Sequence, residues 1–413
     1  LHASTEAFAV NEILVAPSFA ATTTSRERLA LYVHIPFCRT RCTYCAFNTY
    51  AGLRARIPAY VQALQREIRL VGAAADHRPG ILSIYFGGGT PSQLPVPAVG
   101  QIVETCQQAF SLNPEAEISF EVNPGDADAA YFAQLRRAGV SRLSIGMQSA
   151  NESELRLFAR RHTPNDVPQT VRLARQAGFA SLNLDLIYGI PGQTLSMWQH
   201  SLYYALRCEP DHLSLYSLSF EEGTPLHTWL RQGRVPLPDP DLAADMYDWA
   251  ADTLQAAGYE HYEISNWARP GHACQHNVHV WRNLPYLGFG AGAHGYAGGV
   301  RYETVTNPGA YIARINAQSE PLPFPLSAAT AETLPVERRE AMADTMILGL
   351  RLLEEGVDSA AFRAHFGCSP HEAFGPALQR LQAQGLIEET ADGRIRLTRR
   401  AYLVANRVFV EFV

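Results

Sequence analysis

Three cysteines, Cys38, Cys42 and Cys45, stand within eight residues in the spacing C-x3-C-x2-C; the whole chain has seven. They follow an apolar run, Leu29 to Ile35, so the loop that carries them leaves the end of a strand-like segment. Thiolates are soft ligands, and three on one short loop suit an iron–sulfur cluster. A four-iron cluster held this way keeps one iron open for a small molecule. Structural zinc wants four closing ligands. Buried free thiols and a disulfide are the other readings, and the disulfide is weakened because nothing marks the chain as secreted.

A loop of this kind needs a scaffold. Strand-like runs cover Ala30–Ile35, Ile81–Phe86, Glu117–Val122, Arg142–Met147, Ser181–Tyr188 and His212–Leu218. Amphipathic helical patterns lie between them at Pro58–Val71, Pro97–Phe110, Ala127–Ala138, Val167–Ala177 and Met197–Arg207. This alternation predicts parallel strands joined by helical crossovers, and the near-continuous apolar strands predict burial on both faces. Six units are too few for an eight-stranded barrel; periodicity alone leaves an open curved barrel and a doubly wound sheet as alternatives.

The unusual residues collect at the strand ends. The second strand runs into Gly87, Gly88, Gly89 and Thr90. The third contains Glu121 and ends Asn123-Pro124-Gly125. The fourth ends Met147-Gln148-Ser149, and the fifth contains Asp185. Singly, these are turn glycines and solvated carboxylates. Together they occupy the carboxyl-terminal rim, where parallel αβ folds place their sites, beside the cysteine loop.

Composition narrows the function classes. The chain has 413 residues, 47% of them hydrophobic, so two or three domains are expected. A net charge of −6 argues against nucleic acid as the main partner. No apolar run approaches the eighteen or more residues of a membrane span. All 34 basic residues are arginine, so there is no lysine for a Schiff base or a Walker-type phosphate loop. The thiol content suits a reducing cytoplasm. The first 28 residues do not resemble a secretion signal and are expected to be a disordered extension.

Residues 220–325 are richer in Pro, Gly and aromatics. They include a helix at Leu242–Ala257, a strand-like run at Tyr259–Trp267, and the segment Cys274-Gln275-His276-Asn277-Val278-His279-Val280-Trp281. The last stretch carries helical patterns at Arg338–Glu355, Ser359–Phe366 and Pro370–Gln384, then strands at Ile387–Thr390 and Arg394–Thr398 around an Asp392-Gly393 turn. It reads as a winged-helix-like unit without a basic helix face, which favours a lid or interaction role over DNA binding. The expected division is 1–28 extension, 29–225 barrel, 226–334 connecting region and 335–413 C-terminal domain.

The cysteine spacing, with Tyr44 before the third ligand, resembles the radical S-adenosylmethionine superfamily. HIPFC, YFGGGTPS, FEVNPGD, RLSIGMQS, LNLDLIYGIPGQT, YEISNWARPG and YLGFGAGAHGY are similar to its coproporphyrinogen III oxidase-like branch, and most of all to the HemW family of heme chaperones. The resemblance covers residue 29 to the C-terminus. It implies an α/β fold, an incomplete six-stranded parallel (β/α)6 barrel with a C-terminal winged-helix-like α+β domain. It implies a 4Fe-4S cluster on Cys38, Cys42 and Cys45, with S-adenosylmethionine chelating the fourth iron. Gly88, Gly89 and Thr90 would lie against the methionine moiety, Arg160 would fork its carboxylate, and Glu121 would accept from the ribose hydroxyls. Tyr32, Tyr44, Phe47, Gln148, Asp185 and Ile187 would line the cofactor. Arg161 is expected to be a surface charge.

Two marks bear on the subfamily. The oxidase carries a further cysteine two residues after the third ligand; here that position is Phe47. His276-Asn277-Val278-His279-Val280-Trp281 resembles the HemW motif His-Asn-x-x-Tyr-Trp, with Val280 in place of the tyrosine and Tyr286 as its substitute. His276 is the implied ligand of heme iron, with Cys274 or His279 as alternatives. The reading is a cytoplasmic chaperone that delivers heme to an acceptor protein, with an electron donor such as flavodoxin or ferredoxin. The competing reading is an oxygen-independent oxidase that decarboxylates a porphyrinogen by radical chemistry.

Overall fold

The structure, a computed structural model, describes residues 28–413. The expected extension, Arg28 apart, lies outside the described residues. Six strands carry the fold: β1 (Arg28–Ile35), β2 (Gly80–Gly88), β3 (Ser111–Val122), β4 (Arg142–Gln148), β5 (Ser181–Tyr188) and β6 (His212–Ser217). Each is parallel to the next. The connections hold α1 (Ile57–Ala74), α2 (Val96–Ala109), α3 (Ala129–Arg137), the pair α4 (Glu152–Leu157) and α5 (Asp166–Gln176), and α6 (Leu195–Leu206).

The chain continues through α7 (Pro225–Arg231), α8 (Pro240–Ala256), β7 (Glu260–Glu263), β8 (Asn266–Ala268), α9 (Gln275–Trp281), β9 (Tyr286–Phe289), β10 (His294–Ala297), β11 (Val300–Thr304), α10 (Pro308–Ala317) and β12 (Thr330–Pro335). All these strands join one twelve-stranded sheet in the order β12-β11-β10-β9-β1-β2-β3-β4-β5-β6-β8-β7. The incomplete parallel barrel is therefore present, and β9 extends it by pairing parallel to β1 on its free edge. Four residues, Tyr-Leu-Gly-Phe, are too short to show a period, so the sequence did not announce this strand.

Strand β3 begins six residues before the expected Glu117, because its first part is polar and exposed and resumes its pairing with β2 only after a register shift. Helices start where their caps lie. Thr194 accepts from Met197 N at the head of α6, and Asp239 accepts from the first turn of α8. The side chains of β1, β2, β4 and β5 that pack against the helices are nearly all fully buried.

The last stretch has its own core. Helices α11 (Arg338–Gly349), α12 (Ser359–Phe366) and α13 (Pro370–Ala383) pack with a three-stranded sheet of β13 (Val357–Asp358), β14 (Ile387–Glu389) and β15 (Arg394–Leu397) around Met346, Leu350, Leu378 and Ile395. Helix α11 stops at Gly349 instead of reaching Glu355. A Cβ at Gly349 would sit 2.8 Å from Val357, so the chain turns where the strand comes close. Among the described residues, no helix is long and apolar enough to cross a membrane.

Candidate functional site: a cysteine loop over a polar cavity

The cysteine loop is tied down at several points. Its ends pair as short strands, Phe37–Cys38 beside Tyr50–Ala51. Its middle is held by Thr43, which receives Leu226 N on its carbonyl at 2.9 Å and donates its hydroxyl to Leu157 O at 2.7 Å. The glycine turn after β2 is bonded to the same loop, Gly89 N to Ile35 O and Thr90 N to Phe37 O, both at 2.9 Å.

Cys38, Cys42 and Cys45 all line one cavity of about 570 Å³, within the range of small-molecule sites. Strands β2 to β6 each contribute to it through Tyr85, Glu121, Ser144, Asp185 and Tyr216, which requires the sheet to curl around it. Among the described residues, no three His, Cys, Asp or Glu side chains converge on a single-ion position. Three thiols from one short loop on one cavity wall are a donor set that suits an iron–sulfur centre. Burial pushes the Cys38 thiol up to about 11, against the Thr90 hydroxyl at 3.4 Å, and also raises Cys45. Ligation has to displace those protons.

Of the expected contact residues, Tyr44, Phe47, Gly88, Gly89, Thr90, Glu121, Gln148, Arg160, Asp185 and Ile187 line this cavity. Tyr32 does not. Its hydroxyl lies 3.1 Å from His34 Nδ1, and its ring is stacked against that of Tyr85, which does line the cavity. The glycines answer to the protein's own packing. A Cβ on Gly88, whose φ is +108°, would strike the His34 ring at 2.4 Å, and one on Gly89 would meet Ile35 O at 2.8 Å.

Arg160 is held by its neighbours. Nη2 donates to Asn123 Oδ1 at 2.6 Å and Gly146 O at 2.7 Å, and Nη1 reaches Cys42 Sγ at 3.6 Å. Ala159 before it, at φ +54°, and Gln148, at φ +66°, are both in the left-handed region. Two non-glycine residues in that conformation beside one cavity mark a backbone held for function. Glu121 accepts from Tyr85 OH at 3.0 Å. Desolvation first, then Asp185, push its carboxyl up to about 7. Asp185 is also raised by burial, against hydrogen bonds from Ser144 and Asn183.

Several residues here had no contact assigned to them from the sequence. Arg161 is half-exposed but paired with the buried carboxylate of Asp126, which also accepts from Gln93 at 3.2 Å. Tyr85, Asn123 and His34 carry the contacts described above. Tyr85 was legible, since it alternates with Ser83 on an inward-facing strand; the pairing of Arg161 with Asp126 has no sequence signal.

His276 lies elsewhere. The segment Gln275–Trp281 is the helix α9, and His276 is 6% exposed, with Nδ1 3.0 Å from Ser83 Oγ. Its ring centroid is 5.2 Å from that of Tyr85 and 6.5 Å from that of Tyr32, and it does not line the cavity. Desolvation, with His279 and Arg142 adding to it, pushes the imidazole down to about 3, so it is neutral. The two alternatives are equally enclosed: Cys274 is fully buried with Sγ 3.5 Å from Glu117, and His279 bonds Pro285 O at 2.8 Å. Tyr286 stands in β9, opposite Ala30 of β1.

Residues 32–204 match the Radical SAM superfamily, and residues 336–404 match the HemN C-terminal domain. The chain is 35% identical over 383 residues to the heme chaperone HemW of Bacillus subtilis strain 168, covering 92% of this chain and 98% of that protein. It is 37% identical over 367 residues to the heme chaperone HemW of Escherichia coli strain K12, covering 88% and 93%. The fold matches coproporphyrinogen III oxidase, HemN, of Escherichia coli with a TM-score of 0.79 at 24% identity, over 94% of this chain and 91% of that one. At that identity the likeness is one of fold. A curled parallel sheet with three thiols over its cavity defines a radical SAM protein. Within that superfamily the chain belongs to the HemW family.

Proposed function

We propose that this chain is a cytoplasmic heme chaperone. In this reading Cys38, Cys42 and Cys45 hold a 4Fe-4S cluster, the cavity holds S-adenosylmethionine, and heme is the cargo handed to an acceptor protein. When bound, the cluster and the sulfonium together supply one-electron chemistry. The chain's own residues bind and orient. The Gly88–Thr90 main chain would face the amino-acid moiety, Arg160 would meet its carboxylate through the N–H groups that its neighbours leave, and Glu121 would accept from the ribose hydroxyls. Tyr44, Gln148, Asp185 and Ile187 fill the remaining wall. An electron donor such as flavodoxin or ferredoxin belongs to the same reading, and His276 is the ligand we assign to the heme iron.

The observation that carries this reading is Phe47. Where the porphyrinogen oxidase reading needs a thiol, this chain places an apolar ring on the cavity rim, 69% exposed. Near full-length similarity to proteins named as HemW heme chaperones supports it further. The test is a parallel assay on anaerobically reconstituted protein. One heme should bind per chain, and coproporphyrinogen should yield no protoporphyrinogen; sustained turnover would overturn the proposal.

A further inference from the structure

An imidazole that is to bind iron has to be reached by it, and His276 is not reachable in this conformation. Tyr85 separates it from the cavity, Ser83 holds its Nδ1, and α9 covers the rest. A planar tetrapyrrole can meet this side chain only if α9 leaves its seat. The question is which contacts keep it there.

The two ends of α9 are held differently. At its start, the Glu117 carboxylate of β3 receives Gln275 N at 3.2 Å and His276 N at 3.4 Å. At its end, apart from His279 on Pro285 O, the side-chain ties run to the C-terminal unit. Arg282 makes a two-pronged pair with Glu355 at 2.8 and 2.7 Å, Asn283 donates to Thr345 at 3.1 Å, and the Arg351 guanidinium lies 4.2 Å over the Trp281 ring. The outer pair is solvent-facing, with Arg282 48% and Glu355 36% exposed. Asn283, at φ +53°, makes the turn that follows.

We propose that α9 is a latched plug, with Thr345, Arg351 and Glu355 as the latch, and that its release swings His276 out to an iron porphyrin. This rests on the reading of His276 as heme ligand and adds the gate that controls it. Because the outer contacts are exposed, an acceptor protein docking on the C-terminal unit has a lever on cargo binding that does not pass through the cofactor cavity.

The experiment uses the full, reconstituted chain in three forms, Arg282→Glu, Glu355→Arg and the double swap, with His276→Ala alongside. Hydrogen exchange over residues 275–281 and the association rate of hemin are read together. Each single reversal should raise both about fivefold, the scale of one good exposed ion pair, and the double swap should restore both. Unchanged exchange in the single variants overturns the latch. Faster exchange with an unchanged hemin rate, while His276→Ala still weakens hemin binding, overturns the gate. A hemin spectrum that ignores His276→Ala rejects the ligand assignment itself, whatever the exchange data show.

Discussion

The two ends of the barrel treat polar groups in opposite ways. At the rim, the three thiols, Glu121 and Arg160 face a cavity with room for a ligand. At the base, Cys274, Glu117 and Arg142 are also polar and also gathered, but they pack with α9, whose His276 is buried among them. The rim groups line an open cavity, whereas His276, Cys274 and Arg142 are buried. One sheet thus holds a receptive site and a sealed one, separated by the single layer of Tyr32 and Tyr85. Spacing that signals chemistry in the sequence does not reveal which of these states a site is in.

The sharpest way to separate the ends is to empty one. Cys38→Ala should abolish nearly all iron and acid-labile sulfide, and the visible absorbance with them, while His276→Ala leaves both intact. Metal analysis after anaerobic reconstitution checks this. Equal loss in both variants would mean that the ends are one unit.

The next effect lies at the base. Glu263, fully buried, accepts from Ser265 N at 2.9 Å and pairs with Arg351 at 3.1 Å. Arg351→Ala strands that carboxylate and should cost roughly 3 kcal/mol in denaturant unfolding at pH 8. Burial already raises the Glu263 carboxyl. It takes up a proton as pH falls, so the cost should shrink towards pH 5. A loss that does not depend on pH would place the damage in the Trp281 contact instead.

The smallest effect belongs to the rim. Glu121 has its folded carboxyl raised to about 7, so it is mostly protonated at pH 6 and ionised at pH 8. The ionised form is the better acceptor for hydroxyls and the better neighbour for a sulfonium. S-adenosylmethionine affinity should therefore rise about tenfold between those pH values, and Glu121→Gln should flatten the profile. Calorimetric titration at the two pH values decides it; a flat wild-type profile would remove Glu121 from the contact.

Much of this was legible beforehand, for identifiable reasons. Strands β1 to β6 and their helices announced themselves because apolar period and punctuating glycines agree. The rim residues did so because strand-end polarity is rare in buried parallel strands. What stayed hidden was short or long-range. The strand at Tyr286–Phe289 has too few residues for a pattern. The helix at Gln275–Trp281 has histidines and valines where a helix former would signal, and long-range contacts to Ser83, Glu117 and the C-terminal unit hold it. Glycines at 88 and 89 suggested room for a ligand, yet the structure uses them to admit His34 and the turn after β1.

The pairing of β9 with β1 sets a timetable for the nascent protein. Residue 30 finds its edge partner only when residue 286 has been made. Until then the strand that leads into the cysteines keeps one side open during synthesis, a state prone to sticking to other chains. The residues that line the cavity are all made by Glu221, so the wall of the site is complete in sequence before the strand that closes the edge beside it exists.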